Sequence, residues 1–426
     1  MRAFAPLQIA AFVLFVALGC TGPGDGVGRV LIVGIDGASL RIIDPMLAQG
    51  RLPTLARLRA DGASGPLRSE LPLASPSIWN SIATGKRAED HGIEDFTYRD
   101  ANGATRLYLG NHRRVQALWN IASDRGLQVG VVNWWNTFPP DRVRGVVVSD
   151  HAQPGRTAAL GQETGAALPI GGPTVFPPAW QARVAAIHDQ VRVLEPGKDL
   201  LGDRRDLPEW VDFEDLSRFP PMDAAATRIA LEVESELRPD LLMVLLPGID
   251  RVSHHLWAGV EPEGLYPDRF PMSNRDWRAA GDALRRYYDY TDALLATLIA
   301  RFDADDLVIV LSDHGFHPAV LPKKMLTGHH HTANAIDGVL FARGPRVAPG
   351  ASSAGTSIYQ IAPTVLAWMD LAVADDMAAG PADFLTGAAP ERIASYEGPV
   401  IERLEAGQSG SESELLEELR ALGYVE

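Results

Sequence analysis

A single cysteine, Cys20, in 426 residues excludes an internal disulfide and any cysteine-based zinc cluster. Metal chemistry in this chain must therefore use histidine and carboxylate. Basic residues are also short: 39 Lys and Arg stand against 54 Asp and Glu, a formal net charge of -15. That balance excludes non-specific attraction to a polyanion as the main business, so no binding to a nucleic-acid polymer is expected. Partners should be small, neutral, or gripped through a bound cation. No internal repeat is visible, and the one long apolar run falls short of the ~20 residues of a membrane span. What remains is globular in type, with 46% hydrophobic and 22% charged residues, enough to bury a sizeable core.

That apolar run occupies residues 5–19, behind the short positive start Met1-Arg2, and ends directly before Cys20. Its length and the small residues at its end are those of a signal-peptide core. The stretch Ala17-Leu18-Gly19-Cys20 resembles the lipobox of bacterial lipoproteins. The resemblance implies a lipoprotein-type signal peptide over residues 1–20, lipidation of Cys20, and a body exported and anchored to a membrane of the cell envelope. An uncleaved anchor and a simple secretory signal are the other readings of the same residues. Residues 21–28 (TGPGDGVG) read as a flexible tether. Residues 407–426 read as a polar linker followed by a short terminal helix.

Between these ends, continuous apolar runs stop at turn residues. Residues 29–35 lead into Asp36-Gly37, residues 241–246 into Pro247-Gly248-Ile249-Asp250, and residues 307–311 into Ser312-Asp313-His314-Gly315. Residues 129–132 and 338–342 add two more. Such runs are apolar on both faces, as strands of a parallel sheet covered by helices must be. Helical patterns over 222–237 and 287–302 alternate with them, which predicts an α/β layered fold with a mostly parallel sheet. Residues 152–221 break the rhythm and read as an insertion or cap.

In an open α/β sheet, ligands bind beyond the carboxyl ends of the strands, where Asp36, Asp250 and Asp313 all fall. One aspartate after a strand is commonly a turn former. Here three occur, two of them with histidines at fixed offsets. Asp250 and His254 are four apart and share a face on a helical turn, and Asp313 is followed directly by His314. Seven of the eleven histidines (His254, His255, His314, His317, His329, His330, His331) lie between positions 254 and 331. Carboxylate plus imidazole without thiolate suits zinc, and less specifically manganese or iron. Two such sites suit in-line transfer at phosphorus.

Ser75 is the candidate nucleophile. Ser75-Pro76 also fits an N-cap serine with proline at the first helical position, opening a helix that ends near Thr84-Gly85. A serine there faces free backbone N–H groups that favour an incoming phosphate. Its hydroxyl needs an activator, and no Ser-His-Asp spacing is evident, which favours a metal.

Asp36 in VGIDG, Ser75 in ASPSIWNSIATGKRAEDHGI, Asp250 with His254, Asp313-His314 in LSDHG and a late histidine before GVLFARGP together resemble the alkaline phosphatase superfamily. Within it they are most similar to the type I phosphodiesterase/nucleotide pyrophosphatase-like proteins, in the same motif order from about residue 29 to about residue 380. The resemblance implies a three-layer α/β/α sandwich as the catalytic domain, over 29–406. It implies two divalent ions, taken as zinc: one on Asp36, Asp313, His314 and Ser75, the other on Asp250, His254 and a final histidine. In the family that histidine precedes Asp or Asn by three residues, which selects His331 through Asn334. His91, in His-Gly-Ile, is read as structural. The implied activity is metal-dependent hydrolysis of a phosphoric ester, a small molecule or a lipid head group, with Ser75 as nucleophile. A phosphoryl or head-group transferase and an inactive lipid-anchored binding protein are the alternatives. Two departures matter. Phe96 stands where the nucleotide pyrophosphatases carry an asparagine, which puts nucleotide specificity in doubt. The sulfatase pattern Cys/Ser-x-Pro-x-Arg is absent, since Pro76 directly follows Ser75 and Trp79 holds the arginine place.

Overall fold

A computed structural model of the protein describes residues 28–152, 173–193, 200–202, 204–209, 211–261, 266, 273–321, 326–330, 332–398 and 401–404. Cys20, His331, most of the tether, residues 153–172 of the expected insertion and the terminal segment 407–426 lie outside them.

The apolar runs form the strands Val30–Ile35, Val129–Val132, Leu241–Leu246, Leu307–Leu311 and Asp337–Arg343 of one nine-stranded sheet. The Val30–Ile35 strand lies at its centre, parallel to Leu241–Leu246 on one side and to Leu307–Leu311 on the other. Val129–Val132 continues parallel beyond Leu241–Leu246, and Gly145–Val148 parallel beyond that. Asp337–Arg343 runs antiparallel between Leu307–Leu311 and Ala63–Arg68. The sheet is therefore mixed and mostly parallel.

Alternation along the central strand divides the core. Leu31, Val33 and Ile35 pack with the helices Leu40–Ala48, Pro53–Asp61, Phe219–Leu237, Gly248–Leu256 and Asn274–Ile299. Val30 and Ile32 pack on the opposite face with Ser75–Thr84, Leu118–Asp124 and Ile361–Trp368. This is the three-layer α/β/α sandwich, and each fully buried Leu, Ile or Val in it contributes about 1.5–3 kcal/mol of transfer free energy. The described part of segment 152–221 supplies the antiparallel edge strand Val175–Phe176 and the helix Gln181–Val193, and its Val175, Val184 and Ile187 join the same core as Leu31.

Register then places the chemistry. Ile35 pairs with Leu246, and Gly34 with Leu311, so Asp36, Pro247 and Ser312 leave the sheet side by side at its carboxyl edge. From the central strand the chain passes first to Ala63–Arg68 on one side and later to Val129–Val132 on the other. The edge is thus a point where strand order reverses, the usual place for a ligand crevice.

Candidate metal centre

Two groups of buried side chains meet at this edge. Asp36, Asp313 and His314 form one; Asp250, His254 and His330 form the other, and within each group the donor atoms lie within 4.8 Å of one another. The groups adjoin: His314 Nε2 is 4.0 Å from Asp250 Oδ1, and the His314 and His330 rings stack with centroids 3.7 Å apart. The helix Gly248–Leu256 brings Asp250 and His254 onto one face, as their spacing requires. His330 follows the hairpin strand Leu326–His329. The resemblance selects His331, which is outside the described residues; among those described, His330 completes the second group.

Ser75 is the first residue of the Ser75–Thr84 helix. The N-cap is Ala74, with no side-chain cap hydrogen bond, and Gly85 closes the helix in the left-handed region. The cap role that the sequence allowed for Ser75 is therefore not the one it has. Instead Ser75 Oγ donates towards Asp36 Oδ1 at 3.4 Å and lies 3.4 Å from His314 Nε2.

His314 and His254 are each held in a definite orientation through Nδ1. His314 Nδ1 donates to the Gly315 carbonyl at 3.0 Å and His254 Nδ1 to the Gly328 carbonyl at 3.1 Å, an assignment that follows from the carbonyl partners. Each Nε2 then carries its lone pair inward. That lone pair faces carboxylate oxygens: His314 Nε2 is 3.5 Å from Asp36 Oδ1 and 3.4 Å from Asp313 Oδ2, and His254 Nε2 is 3.6 Å from Asp250 Oδ1, the distance at which His330 Nε2 also lies from that oxygen. Acceptors facing acceptors in a buried space repel unless a proton or a cation lies between them. Burial pushes His254 well below the usual imidazole range, helped by the neighbouring His329 and Arg251, and lowers His314 against the opposing pull of Asp36. Burial raises Asp313 well above the carboxylate range, and the charges of Asp36 and Asp250 add to it. Asp313 Oδ1 accepts from Gly37 N–H at 3.2 Å, while its buried Oδ2 has no hydrogen-bond donor. Neutral imidazoles, crowded carboxylates and an orphaned oxygen are donors that could hold a divalent cation.

Features that the sequence reading missed complete the first group. Trp79 and Trp135 both donate their indole N–H to Asp36 Oδ2, at 3.2 and 3.3 Å, which leaves Oδ1 for Ser75 and His314. Phe96 packs edge-on against Trp135. The tryptophan pair Trp134-Trp135, one residue beyond the apolar run 129–132, was the available signal, since it falls at the same sheet edge. Gly37, at φ +69°, lets the two ligand turns touch: a Cβ there would lie 2.7 Å from Phe316 and 2.9 Å from the Asp250 Cα.

His91 takes no part in either group. Its ring bonds Ser81 Oγ at 3.0 Å and accepts the Ile93 N–H at 3.1 Å, fully buried behind the Ser75 helix. Lys86 pairs with Asp376 and Glu397, and Arg87 with Glu70, so both are engaged away from Ser75.

Comparison with known structures returns distant likenesses, at 13–19% identity. BT1596, a 2-O GAG sulfatase, matches with TM-score 0.53 at 13% identity, over 83% of this chain and 72% of that one. Phosphonoacetate hydrolase from Sinorhizobium meliloti 1021, in complex with phosphonoformate, matches with TM-score 0.43 at 19% identity over 70% of this chain, which spans 59% of that protein's length. Human ectonucleotide pyrophosphatase/phosphodiesterase 5 matches with TM-score 0.47 at 13% identity, over 84% of this chain and 100% of that one. No curated protein matches. The family model for type I phosphodiesterase/nucleotide pyrophosphatase matches residues 30–369, the whole stretch that carries both donor groups and Ser75, and the chain belongs to that family.

Proposed function

We propose that this chain is a phosphoric ester hydrolase that works by double displacement, with Ser75 as nucleophile and two divalent ions, zinc by the character of the donors, in its two groups. The observation that carries the reading is the position of Ser75 Oγ, 3.4 Å from both Asp36 Oδ1 and His314 Nε2 and engaged in no cap bond. Asp36, Asp313 and His314, with Ser75 itself, would hold one ion; Asp250, His254 and His330 would hold the other. Bound there, the ions would favour the ionised serine hydroxyl and the negative charge that develops on the departing oxygen. Ser75 Oγ gives its proton to solvent and bonds to phosphorus as the bond from phosphorus to the leaving alcohol breaks, and that alcohol takes a proton back from solvent. Water then cleaves the Ser75 phosphoester and restores the hydroxyl. Trp79 and Trp135 hold Asp36 so that one of its oxygens stays turned towards Ser75.

The substrate in this reading is a small phosphate ester or a lipid head-group diester. The chain would be exported and tethered to the cell envelope by lipid on Cys20, with 29–406 as its catalytic domain. Acid quenching during turnover, followed by mass spectrometry, tests the mechanism: phosphate on Ser75 is the expected result. Net inversion at phosphorus with no trapped phosphoserine would replace it with direct attack by water. Assay against phosphomonoesters, nucleotide diesters and lipid head-group diesters, with and without an alcohol acceptor, separates the substrate classes and separates hydrolysis from transfer.

A further inference from the structure

Two fully buried tyrosines stand next to each other in the Asn274–Ile299 helix, and neither belongs to a donor group. Tyr287 Oη donates to Asp223 Oδ2 at 2.9 Å, and Asp223 Oδ1 accepts the Gly248 N–H at 3.2 Å. Gly248 opens the helix that carries Asp250 and His254. A Cβ at Gly248 would collide with the Tyr287 hydroxyl and the Asp223 carboxylate, so the turn is seated directly on this pair. Tyr288 Oη accepts the Ser39 N–H at 3.2 Å, three residues beyond Asp36. Neighbouring residues on a helix point about 100° apart, and the two turns leave adjacent parallel strands. One helix therefore touches the turn of each donor group.

Asp223 is a further sign that the contact has a purpose. It is fully buried, and burial raises its carboxyl to about 7. A neutral side chain would pack there at lower cost, yet a carboxylate's two oxygens serve both a hydroxyl and a backbone N–H at once.

We propose that the Asn274–Ile299 helix is a brace that sets the spacing of the two ion sites, Tyr287 acting through Asp223 on the turn of Asp250 and His254, and Tyr288 acting directly on the turn of Asp36. Both tyrosines and Asp223 are positioning residues. The inference rests on the two-ion reading above. Cooperating ions must sit about 3.5–4 Å apart, and loss of an outer partner of a ligand typically weakens metal affinity about 10–100-fold.

The test is a stepwise zinc titration of the full chain against a competing chelator, with each step assigned through His254→Ala and His314→Ala. Tyr287→Phe keeps the ring and loses the hydroxyl; it should weaken the Asp250 group about tenfold or more and leave the Asp36 group unchanged. Tyr288→Phe should do the reverse. Asp223→Ala should follow Tyr287→Phe, and Asp223→Asn should recover much of the affinity, because its amide oxygen still accepts from Gly248 and its amide nitrogen can donate to Tyr287. This crossed pattern supports the brace. Equal weakening of both sites by either tyrosine change, or no change at either site in protein with wild-type circular dichroism, overturns it. A wild-type chain that binds fewer than two zinc ions overturns the two-ion reading itself, a result distinct from either.

Discussion

Acidification should unfold this protein partly through His91, and the structure sets the size of the effect. Burial, followed by the nearby charge of Arg113, lowers His91 from 6.5 to about 3. The geometry acts in the same direction: Nδ1 already accepts the Ile93 N–H, so a proton there would break that bond inside the core. Between pH 6.5 and about 3 the unfolded chain binds a proton at this position that the folded chain refuses. Stability therefore falls as pH falls, by about 1.4 kcal/mol per pH unit for one proton, reaching about 5 kcal/mol near pH 3. That is a large part of the 5–15 kcal/mol that holds a typical domain together. His188, His254 and His314 are lowered by burial with the same sign, so a difference measurement is needed. His91→Asn keeps an acceptor for Ile93 and loses the Ser81 bond, which costs about 1–3 kcal/mol at pH 7. Urea unfolding of both proteins in excess chelator, from pH 7 to pH 4, should show the variant less stable at pH 7 and losing less per unit. The two curves should cross about one to two units below pH 6.5. Parallel curves over this range would refute the assignment of His91 as a buried neutral acceptor.

Further outcomes follow from the same geometry. Ser75→Ala should change unfolding free energy by about 1 kcal/mol or less, since no cap bond is lost, while turnover falls by orders of magnitude; a comparable loss of stability and activity would return Ser75 to a structural role. The purified chain should carry close to two divalent ions by elemental analysis and lose activity on chelation, and Asp250→Asn should empty mainly one site. Gly37→Ala combines positive φ with a 2.7 Å contact to Phe316, and should weaken metal binding at both groups in the chelator competition; an unaffected titration would show that the turn relaxes freely. Cys20→Ala should release the protein from the detergent phase on phase partitioning, and unchanged partitioning would refute lipidation.

The sheet was legible in the chain because both of its faces are covered. A strand buried on two sides has no polar positions to interrupt it, and so residues 241–246, 307–311 and 129–132 coincide with the strands that form. The long helix before Leu307 was harder to see. It begins at Asn274, whereas the apolar pattern suggests 287, and ends at Ile299 rather than 302. Its first turns bury Ala280, Gly281 and Ala283, residues whose small size allows close packing but gives little hydrophobic signal. The Phe219–Leu237 helix likewise starts three residues before the pattern that announces it, on Phe219-Pro220-Pro221, where prolines are tolerated because a first turn needs no backbone donors.

The site divides along a different line. Asp36 directly follows its strand, and Asp313 and Asp250 follow theirs within two and four residues, so register and short turns bring the three to one edge, and the offsets from Asp250 to His254 and from Asp313 to His314 are local. The last histidine is not local. In extended chain, successive side chains point to opposite sides, so spacing alone does not choose among three consecutive histidines, of which His331 lies outside the described residues. Here His329 pairs across the hairpin with His317, and the chain leaves the strand at His330, whose ring then stacks on His314. The same reason hid the groups behind the ligands. Trp135 reaches Asp36 across 99 positions, and Tyr288 reaches Ser39 across 249; no spacing rule spans such separations, because each contact exists only once the strands between are in register. The candidate donors are thus written in short motifs, whereas the hydrogen bonds that orient them depend on the assembled sheet. Substitutions behind the site, at Trp135, Asp223 or Tyr287, should therefore change metal affinity without changing any motif on which the family resemblance rests.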